Sequence, residues 1–480
     1  MTPHHSAGLR RLTAGVALAA LLAMALGDLA ITTTDPAAEL ARLAKGLLQP
    51  DLFATEYLLE ALWATLAFAL LGVAGGIVLG AVLVMGYHRL SVRALCALVR
   101  SVHELFWALL FMQLFGLSGL TGVLALSLPY GATFARVYAE ILARAPPAIE
   151  AALPVGASAL DRLLYGRLAP MWPALVNYTR YRFECALRSA TVLGFIGLPT
   201  LGFYLETAFR QGQYAQGGAL LWLFLLLIAT LRWWLRPPLI PLALGAALWW
   251  LPATHWPDGA LLWRFVSEDL WPAPLVQGHW GALGPWLGQV SAQAWSGLKG
   301  TVAVAAMALA FSWVLALLWW PMASRTLAGH GRWLGQALLL VGRSVPELLL
   351  AFILLLLMGP SMLPAALALG LHNGALVAYL TAREADRLTL RPDAPKGLDR
   401  HNYELLPRLY PGTVGLLMYR FESMVRETAM VGMLGIATLG FYVDSAFELF
   451  RFDQALALIL VTALLNLVVE SLTRRFAGLR

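Results

Sequence analysis

The 480 residues are 60% hydrophobic and only 13% charged, with a mean hydropathy of +0.71. A soluble chain carries about 25% charged residues, so a water-soluble globular enzyme is excluded. The net charge of +7 is spread over short loops between apolar runs and is not the basic patch of a nucleic-acid binder; Cys96 and Cys185, both inside apolar runs, support neither a disulfide framework nor a cysteine metal site.

The apolar runs are continuous rather than alternating and many exceed the ~18 residues that mark a membrane helix, which predicts helices rather than barrel strands. In chain order the expected spans are 12–31, 58–86, 95–115, 118–138, 172–197, 217–235, 238–256, 294–320, 334–358, 362–381, 412–437 and 454–473. The first follows Arg10–Arg11 and is read as a retained span; the Ala-rich stretch at Ala23–Ala25 leaves cleavage as the alternative. Threaded with the N-terminus inside, the inner loops collect about 20 Lys/Arg, among them Arg89, Arg93, Arg232, Arg236, Arg325, Arg332, Arg474 and Arg475. The outer loops collect about five: Arg42, Lys45, Arg210, Arg264 and Arg451. That asymmetry predicts cytoplasmic N- and C-termini. The outer segment 256–286 holds five tryptophans, which read as an interfacial belt or as a docking surface for an outer partner.

The tail of the chain matches its middle. Tyr181–Phe209 and Tyr419–Phe447 agree at 14 of 29 positions without a gap, at an offset of 238 residues. Arg100–Leu105 (RSVHEL) matches Arg343–Leu348 (RSVPEL) at an offset of 243. Two related five-span modules are expected. Five is odd, so the span at 238–256 restores orientation and the two modules run parallel. The expected organisation is an N-terminal span and outer segment over 1–55, a first module over 56–236, a linking span and Trp-rich segment over 237–289, and a second module over 290–480. The fold class is thus an all-α integral membrane protein of about twelve transmembrane helices.

The long inner loop after the fourth span, Glu140 to Pro173, reads as helix, turn, helix on a membrane face. Glu150-Ala151-Ala152 supply a helix of small side chains, Gly156 a tight turn or close approach, and a second short helix carrying Asp161 and Arg162 ends near Pro170. Small side chains suit a surface that another protein must approach. This loop resembles the EAA loop of ATP-binding-cassette importer permeases. The stretch LPYGATFARVYAEI…EAALPVGAS…LAPMWPALVNYTRYRFECALRSATVLGFIG, within Leu128–Gly197, resembles the phosphonate-uptake permeases, and the resemblance recurs more weakly over Leu371–Gly435. The corresponding second loop, Arg383 to Pro411, has no EAA triplet; there Gly397, Asp399 and Arg400 stand where Gly156, Asp161 and Arg162 stand in the first.

The resemblance implies a permease with two modules fused in one chain, in a bacterial inner membrane. It implies partners: two ATP-binding-cassette ATPase subunits docking on these loops, and an extracytoplasmic substrate-binding protein. The implied cargo is a phosphonate or a related phosphorus oxyanion such as phosphate or phosphite.

Charged residues inside the spans come in fours: Glu184 with Arg188, Glu422 with Arg426, and in reverse order Arg100 with Glu104 and Arg343 with Glu347. Four apart places two groups on one helix face. Each pair either neutralises itself to lower the cost of burial or presents Arg188 and Arg426 to an anion in a shared pathway. His103 stands opposite Pro346, so a role common to both halves does not depend on it. Gly194, Gly197, Gly202 and Gly432, Gly435, Gly440 serve close helix packing or a broken helix at a gate; Tyr204 and Tyr442 follow in matching LGFY motifs. No lysine follows a Gly as a Walker A loop requires, so the chain is not expected to be an enzyme and must borrow its motor. No cofactor or metal is expected. The rival class is an ion-coupled secondary transporter of a small anion, which needs no docking loop.

Overall fold

The computed structural model describes residues 3–53, 57–251 and 256–477, and every regular element among them is helical. The end of the expected 1–55 segment, the first residue of the expected module at 56, the end of the linking span at 252–255 and residues 478–480 lie outside the described residues, as do the side chains of Arg232 and Arg475. Five helices among the described residues are long and apolar enough to cross a membrane: Gly8–Leu26, Leu58–Gly86, Trp280–Ala323, Met362–Ala385 and Phe452–Arg474. The count is up to eight if each of three bent helix pairs is one span.

The chain divides into two compact units, one of Pro50–Leu261 and the other of Met1–Gln49 with Leu262–Arg480. Helices α1 (Pro3–Leu26) and α2 (Pro36–Leu48) belong to the discontinuous unit.

In the Pro50–Leu261 unit, α3 (Leu58–Gly86) lies along α6 (Gly119–Leu142), with α4 (Leu90–Ser101) and α5 (Glu104–Phe115) between them in sequence. The α3–α6 seam is built on absent side chains. A Cβ on Gly72 would stand 2.7 Å from Leu126 Cβ, one on Gly76 2.9 Å from Tyr130 Cβ, and one on Gly80 2.6 Å from Phe134 Cβ. Lipid gives helices no hydrophobic reason to associate, so close approach over small residues is what holds such a pair. A short helix α7 (Pro147–Ala151) leads through the inner loop to α8 (Ala169–Val192), followed by α9 (Leu201–Arg210), α10 (Tyr214–Ala229) and α11 (Ile240–Trp250). The linking span is thus an 11-residue helix, about 16 Å long at 1.5 Å per residue.

The other unit runs a matching series: α12 (Leu283–Ala323), α13 (Arg332–Ser344), α14 (Glu347–Met358), α15 (Met362–Ala385), α16 (Leu406–Gly432), α17 (Leu439–Glu448) and α18 (Phe452–Ala477). Here Gly370 and Gly374 of α15 face Phe311 and Leu315 of α12. Helix α1 precedes α3 in sequence but packs on α12, through Ala23 and Met307, while Thr13 Oγ1 meets the Tyr410 hydroxyl at 2.8 Å. Helix α11 precedes α12 but packs on α3, through Ala247 against Ala67 and Leu71. Each unit therefore carries one extra helix on its longest one.

The runs expected as single spans at 95–115 and 334–358 are each broken. The chain turns by 90° between α4 and α5 and by 93° between α13 and α14. Helices α4 and α13 are amphipathic, with Leu90, Leu95, Trp333 and Leu338 exposed, whereas α5 and α14 are apolar. The break falls in the matched RSV[HP]EL motif. His103 caps α5, its Nδ1 accepting from the Leu105 N–H at 3.2 Å, and Pro346 takes the same place before α14, with extended Val345 ahead of it. Proline disfavours helix in the residue before it, and a side-chain acceptor at the cap reaches the same break by another route.

The glycine-rich turns after α8 and α16 are matched. Gly197 and Gly435 adopt φ of +96° and +87°. A Cβ on Gly194 would stand 2.1 Å from Phe203 N, and one on Gly432 2.2 Å from Phe441 N. Here the glycines serve close backbone packing, and the first turns of α9 and α17 pack on the ends of the helices before them, with a bend of 52° at α9. The first amide of each short helix is satisfied from the long helix: Leu201 N–H donates to Thr65 Oγ1 at 2.9 Å, and Leu439 N–H to Thr301 Oγ1 at 3.0 Å.

Candidate functional site

The two loops expected to dock partners are ordered in different ways. In the first, Pro147 occupies the N-terminal turn of α7, where its missing N–H costs nothing. Glu150 on α7 accepts from Arg167 Nε at 3.1 Å and Nη2 at 3.3 Å, a two-point brace across the loop. Gly166 packs under Glu150, its Cβ direction 3.5 Å from the Glu150 Cβ. Ser158 and Asp161 form a reciprocal capping box: Asp161 Oδ2 accepts from Ser158 N–H at 3.1 Å, and Ser158 Oγ accepts from Asp161 N–H at 3.2 Å. Hydrogen bonds from Ser158 hold the Asp161 carboxyl below its ordinary value. Ala151, Ala152 and Arg162 are exposed. At Gly156 a Cβ would meet nothing within 4 Å and φ is not positive, so neither a strained turn nor a close approach requires glycine there.

The second loop turns inward. Glu404 is buried and accepts from Arg391 Nε at 2.6 Å and Arg408 Nη1 at 2.6 Å. Burial alone would raise its carboxyl; the two arginines outweigh that and hold it below the usual glutamate range. Arg400 is spent internally, its Nε on Pro395 O at 2.7 Å and its Nη1 on Thr326 O at 3.4 Å. Gly397 has φ of +64°, a conformation that favours glycine, and Asp399 ends the single helical turn Gly397–Asp399. Both loops enter the next helix through a π-helical turn, Arg162–Leu168 and Arg400–Leu405, just ahead of Pro170 and Pro407. A proline without an N–H favours such a register slip, and π-turns concentrate at functional sites.

Inside the spans, three expectations from residue spacing are corrected. Arg100 and Glu104, like Arg343 and Glu347, do not share a helix face, because the helix ends and turns between them. Glu184 and Arg188 share a helix, but no ion pair joins them; Arg188 Nη2 lies 3.5 Å from Cys185 Sγ. Glu104 instead accepts from Ser189 Oγ at 2.7 Å and has His103 Nε2 at 3.8 Å. Glu347 pairs with the fully buried His372 at 2.9 Å, whose Nδ1 lies 3.1 Å from Val345 O. Arg343 stacks its guanidinium 4.3 Å from the Tyr379 ring centre. Arg188, Arg426, Glu184 and Glu422 are all half-buried.

The spacing argument missed a second pair of half-buried arginines. Arg182 and Arg420 are the arginines of the two YRFE stretches, so the repeat itself marked them. Arg182 lies 4.5 Å over the Tyr130 ring, and Arg420 donates to Asn373 Oδ1 at 2.6 Å. Thr65 and Thr301, which satisfy the short helices, stand 236 residues apart, an offset close to those of the repeat, and were not singled out from the sequence. Among the described residues no cluster of His, Cys, Asp and Glu could hold a metal ion.

No family model matches the chain, and no solved structure matches it. Among curated proteins it is similar to a phosphate-import permease protein of Mycolicibacterium smegmatis, 25% identical over 413 residues, covering 79% of this chain and 76% of that one. It is also similar to a phosphite transport system permease protein of Stutzerimonas stutzeri, 31% identical over 228 residues, covering 45% of this chain and 81% of that one. With apolar helices of membrane length and these relatives, the protein is a multi-pass membrane protein. It belongs to the phosphonate-type permease family of ATP-binding-cassette importers.

Proposed function

We propose that this permease moves a phosphorus oxyanion, a phosphonate, phosphite or phosphate, inward across a bacterial inner membrane, with both modules of the pathway carried by one chain. The observation that carries this reading is the similarity itself. One relative matches along most of the chain, and another is covered over 81% of its length by 45% of this chain, as a single module would be. An even number of crossings, such as the twelve expected from the sequence, puts both termini on one side, and the excess of Lys/Arg in the loops of that side supports the cytoplasm.

Two ATPase subunits dock from the cytoplasm, one on Glu150, Ala151, Ala152, Gly156, Asp161 and Arg162, the other on Gly397, Asp399 and Arg400. The braced, exposed α7 supports the first contact. An extracytoplasmic binding protein delivers the substrate. ATP binds more tightly to one conformation of the assembly than to the other, and that difference supplies the bias.

The test is ATP hydrolysis by the reconstituted complex, with its binding protein loaded with phosphonate, phosphite, phosphate or nothing. Stimulation by one loaded form supports the reading and names the cargo. If no ATPase co-purifies and uptake follows an imposed proton or sodium gradient, the importer reading fails and an ion-coupled secondary transporter takes its place.

A further inference from the structure

Arg182 and Arg420 hold the same place in two matching helices, but their surroundings differ in charge. In the discontinuous unit, Arg420 Nε donates to Asn373 Oδ1 at 2.6 Å and its Nη2 to Glu427 Oε1 at 3.3 Å, while Asn373 Nδ2 donates to Glu427 Oε2 at 3.3 Å. The triangle closes and its charge sums to zero. In the Pro50–Leu261 unit the same three places hold Arg182, Tyr130 and Ser189. Tyr130 and Asn373 are 243 residues apart, and Ser189 and Glu427 are 238 apart, the two offsets of the sequence repeat.

Arg182 therefore faces an aromatic ring where Arg420 faces an amide, and has a hydroxyl where Arg420 has a carboxylate. Among the described residues no carboxylate pairs with Arg182, and its buried Nε has no hydrogen-bond partner. The nearby Glu104 is engaged by Ser189, whose Oγ also meets the Tyr130 hydroxyl at 3.3 Å.

An arginine in a span is costly, at least about 2.5 kcal/mol at a helix centre by insertion scales. Arg420 has an evident structural compensation. Arg182 has the Tyr130 ring, with Tyr178, Tyr181 and Cys185 as further neighbours and no carboxylate among them, and a cation–π contact leaves the buried Nε of its guanidinium fork unfilled. That fork matches the oxygens of a phosphorus oxyanion at two points.

We propose that Arg182 is the substrate-contacting cation of the permease, a transient binding position for the phosphorus oxyanion, and that Arg420 is structural. The proposal rests on the importer reading above and deepens it: at this one pair of repeated positions, one arginine is committed to a closed polar triangle and the other is not. The Tyr130 ring holds the Arg182 guanidinium at one face. Glu104 accepts from Ser189 rather than pairing with Arg182.

The test uses the full complex in proteoliposomes, with its ATPase subunits and loaded binding protein, and measures labelled oxyanion uptake and ATP hydrolysis in the same vesicles. Arg182→Gln is expected to assemble and to keep loaded-binding-protein stimulation of ATP hydrolysis within about twofold, while oxyanion moved per ATP falls at least about tenfold, the loss of one charge-assisted two-point contact. Arg182→Lys keeps the charge without the fork. It is expected to lose about threefold or more, and it covers the case in which the glutamine variant does not assemble. Arg420→Gln is expected to lower yield and heat resistance and to leave oxyanion per ATP unchanged. Unchanged transport per ATP in both Arg182 variants overturns the proposal, as does equal uncoupling in Arg420→Gln. If the wild-type complex takes up none of phosphonate, phosphite or phosphate, the importer reading has failed, and the inference falls with it.

Discussion

Substituting alanine for Gly202 tests whether the glycines after α8 are there for packing. A Cβ at Gly202 would stand 1.8 Å from the Thr191 carbonyl oxygen, and one at the matched Gly440 2.1 Å from Ala429 O, against an ordinary contact of 3.4–4 Å. In both, the obstacle is backbone within the preceding helix rather than the tip of a side chain, so relief requires α9 or α17 to move bodily by more than an ångström. Overpacking of this kind costs about 1–3 kcal/mol where side chains can yield, and a rigid obstacle puts each variant at or above the top of that range. Alanine also restricts the unfolded chain, which returns about 0.4–1 kcal/mol at a compatible site, so a net loss of about 2 kcal/mol remains. Gly156→Ala is the internal control: it meets nothing within 4 Å and has no positive φ, so its expected change is zero to slightly stabilising. The assay is the fraction of detergent-purified protein that stays monodisperse after heating, read as the temperature of half-loss. Gly202→Ala and Gly440→Ala should both fall by several degrees while Gly156→Ala does not. A Gly202→Ala protein as heat-resistant as the wild type would refute the packing argument and favour a gate that opens at this turn.

Other outcomes follow from single contacts. Glu150→Ala removes a half-exposed brace to Arg167, so heat resistance should change by under about 1 kcal/mol, while recovery of ATPase subunits on affinity purification should drop. Asp386 receives hydrogen bonds from Ser324 Oγ, Arg325 N–H and Thr326 N–H; burial raises its carboxyl, but these donors outweigh burial and hold it below 3.8. A carboxyl held low lends stability that is present above its ordinary value and is lost as pH falls through the lower folded value. Asp386→Asn should therefore be less heat-resistant than wild type at pH 6, and the gap should narrow as pH drops below about 4; a gap that widens in acid would contradict the sign. For topology, a cysteine at Gln277 should react with an impermeant maleimide in intact cells and one at His330 only after permeabilisation; both positions are exposed.

The all-helical class and the matched glycine turns after α8 and α16 were legible because each depends on residues close together in sequence or on an obvious repeat. The bends were not. A hydropathy window averages straight through Arg100–Leu105, while the turn is decided by one cap, His103 in one unit and Pro346 in the other. The shared-face argument failed at Arg100–Glu104 and Arg343–Glu347 for the same reason: a spacing of four implies one face only if the helix is continuous. Arg182 and Arg420 look identical in the sequence, because what distinguishes them, Tyr130 with Ser189 against Asn373 with Glu427, involves a second helix about 50 residues away.

The two inner loops pose the same question for the motor, and it can be settled by surface truncation. The first loop exposes Val155 at 99% and Leu160 at 62% beside the Glu150–Arg167 brace; the second exposes Leu398 at 80% and Tyr403 at 71% over the buried Glu404. Apolar side chains this exposed on an ordered loop are what a docking partner would cover. Beneath them the loops differ. The first is tied to itself by a surface ion pair and a capping box, so it can tilt as a unit. The second is tied to its own unit through Arg400 on Thr326 and through Asp386 on the turn that follows α12. A push on the second loop therefore passes directly into α12, whereas a push on the first reaches the membrane only through the π-turn leading into α8. Val155→Ala with Leu160→Ala, and Leu398→Ala with Tyr403→Ala, should each weaken ATPase recovery, because each removes an exposed apolar pair without touching the brace below. If only the first pair matters, the complex carries one productive motor contact, and the loop without the EAA triplet serves to hold its unit together.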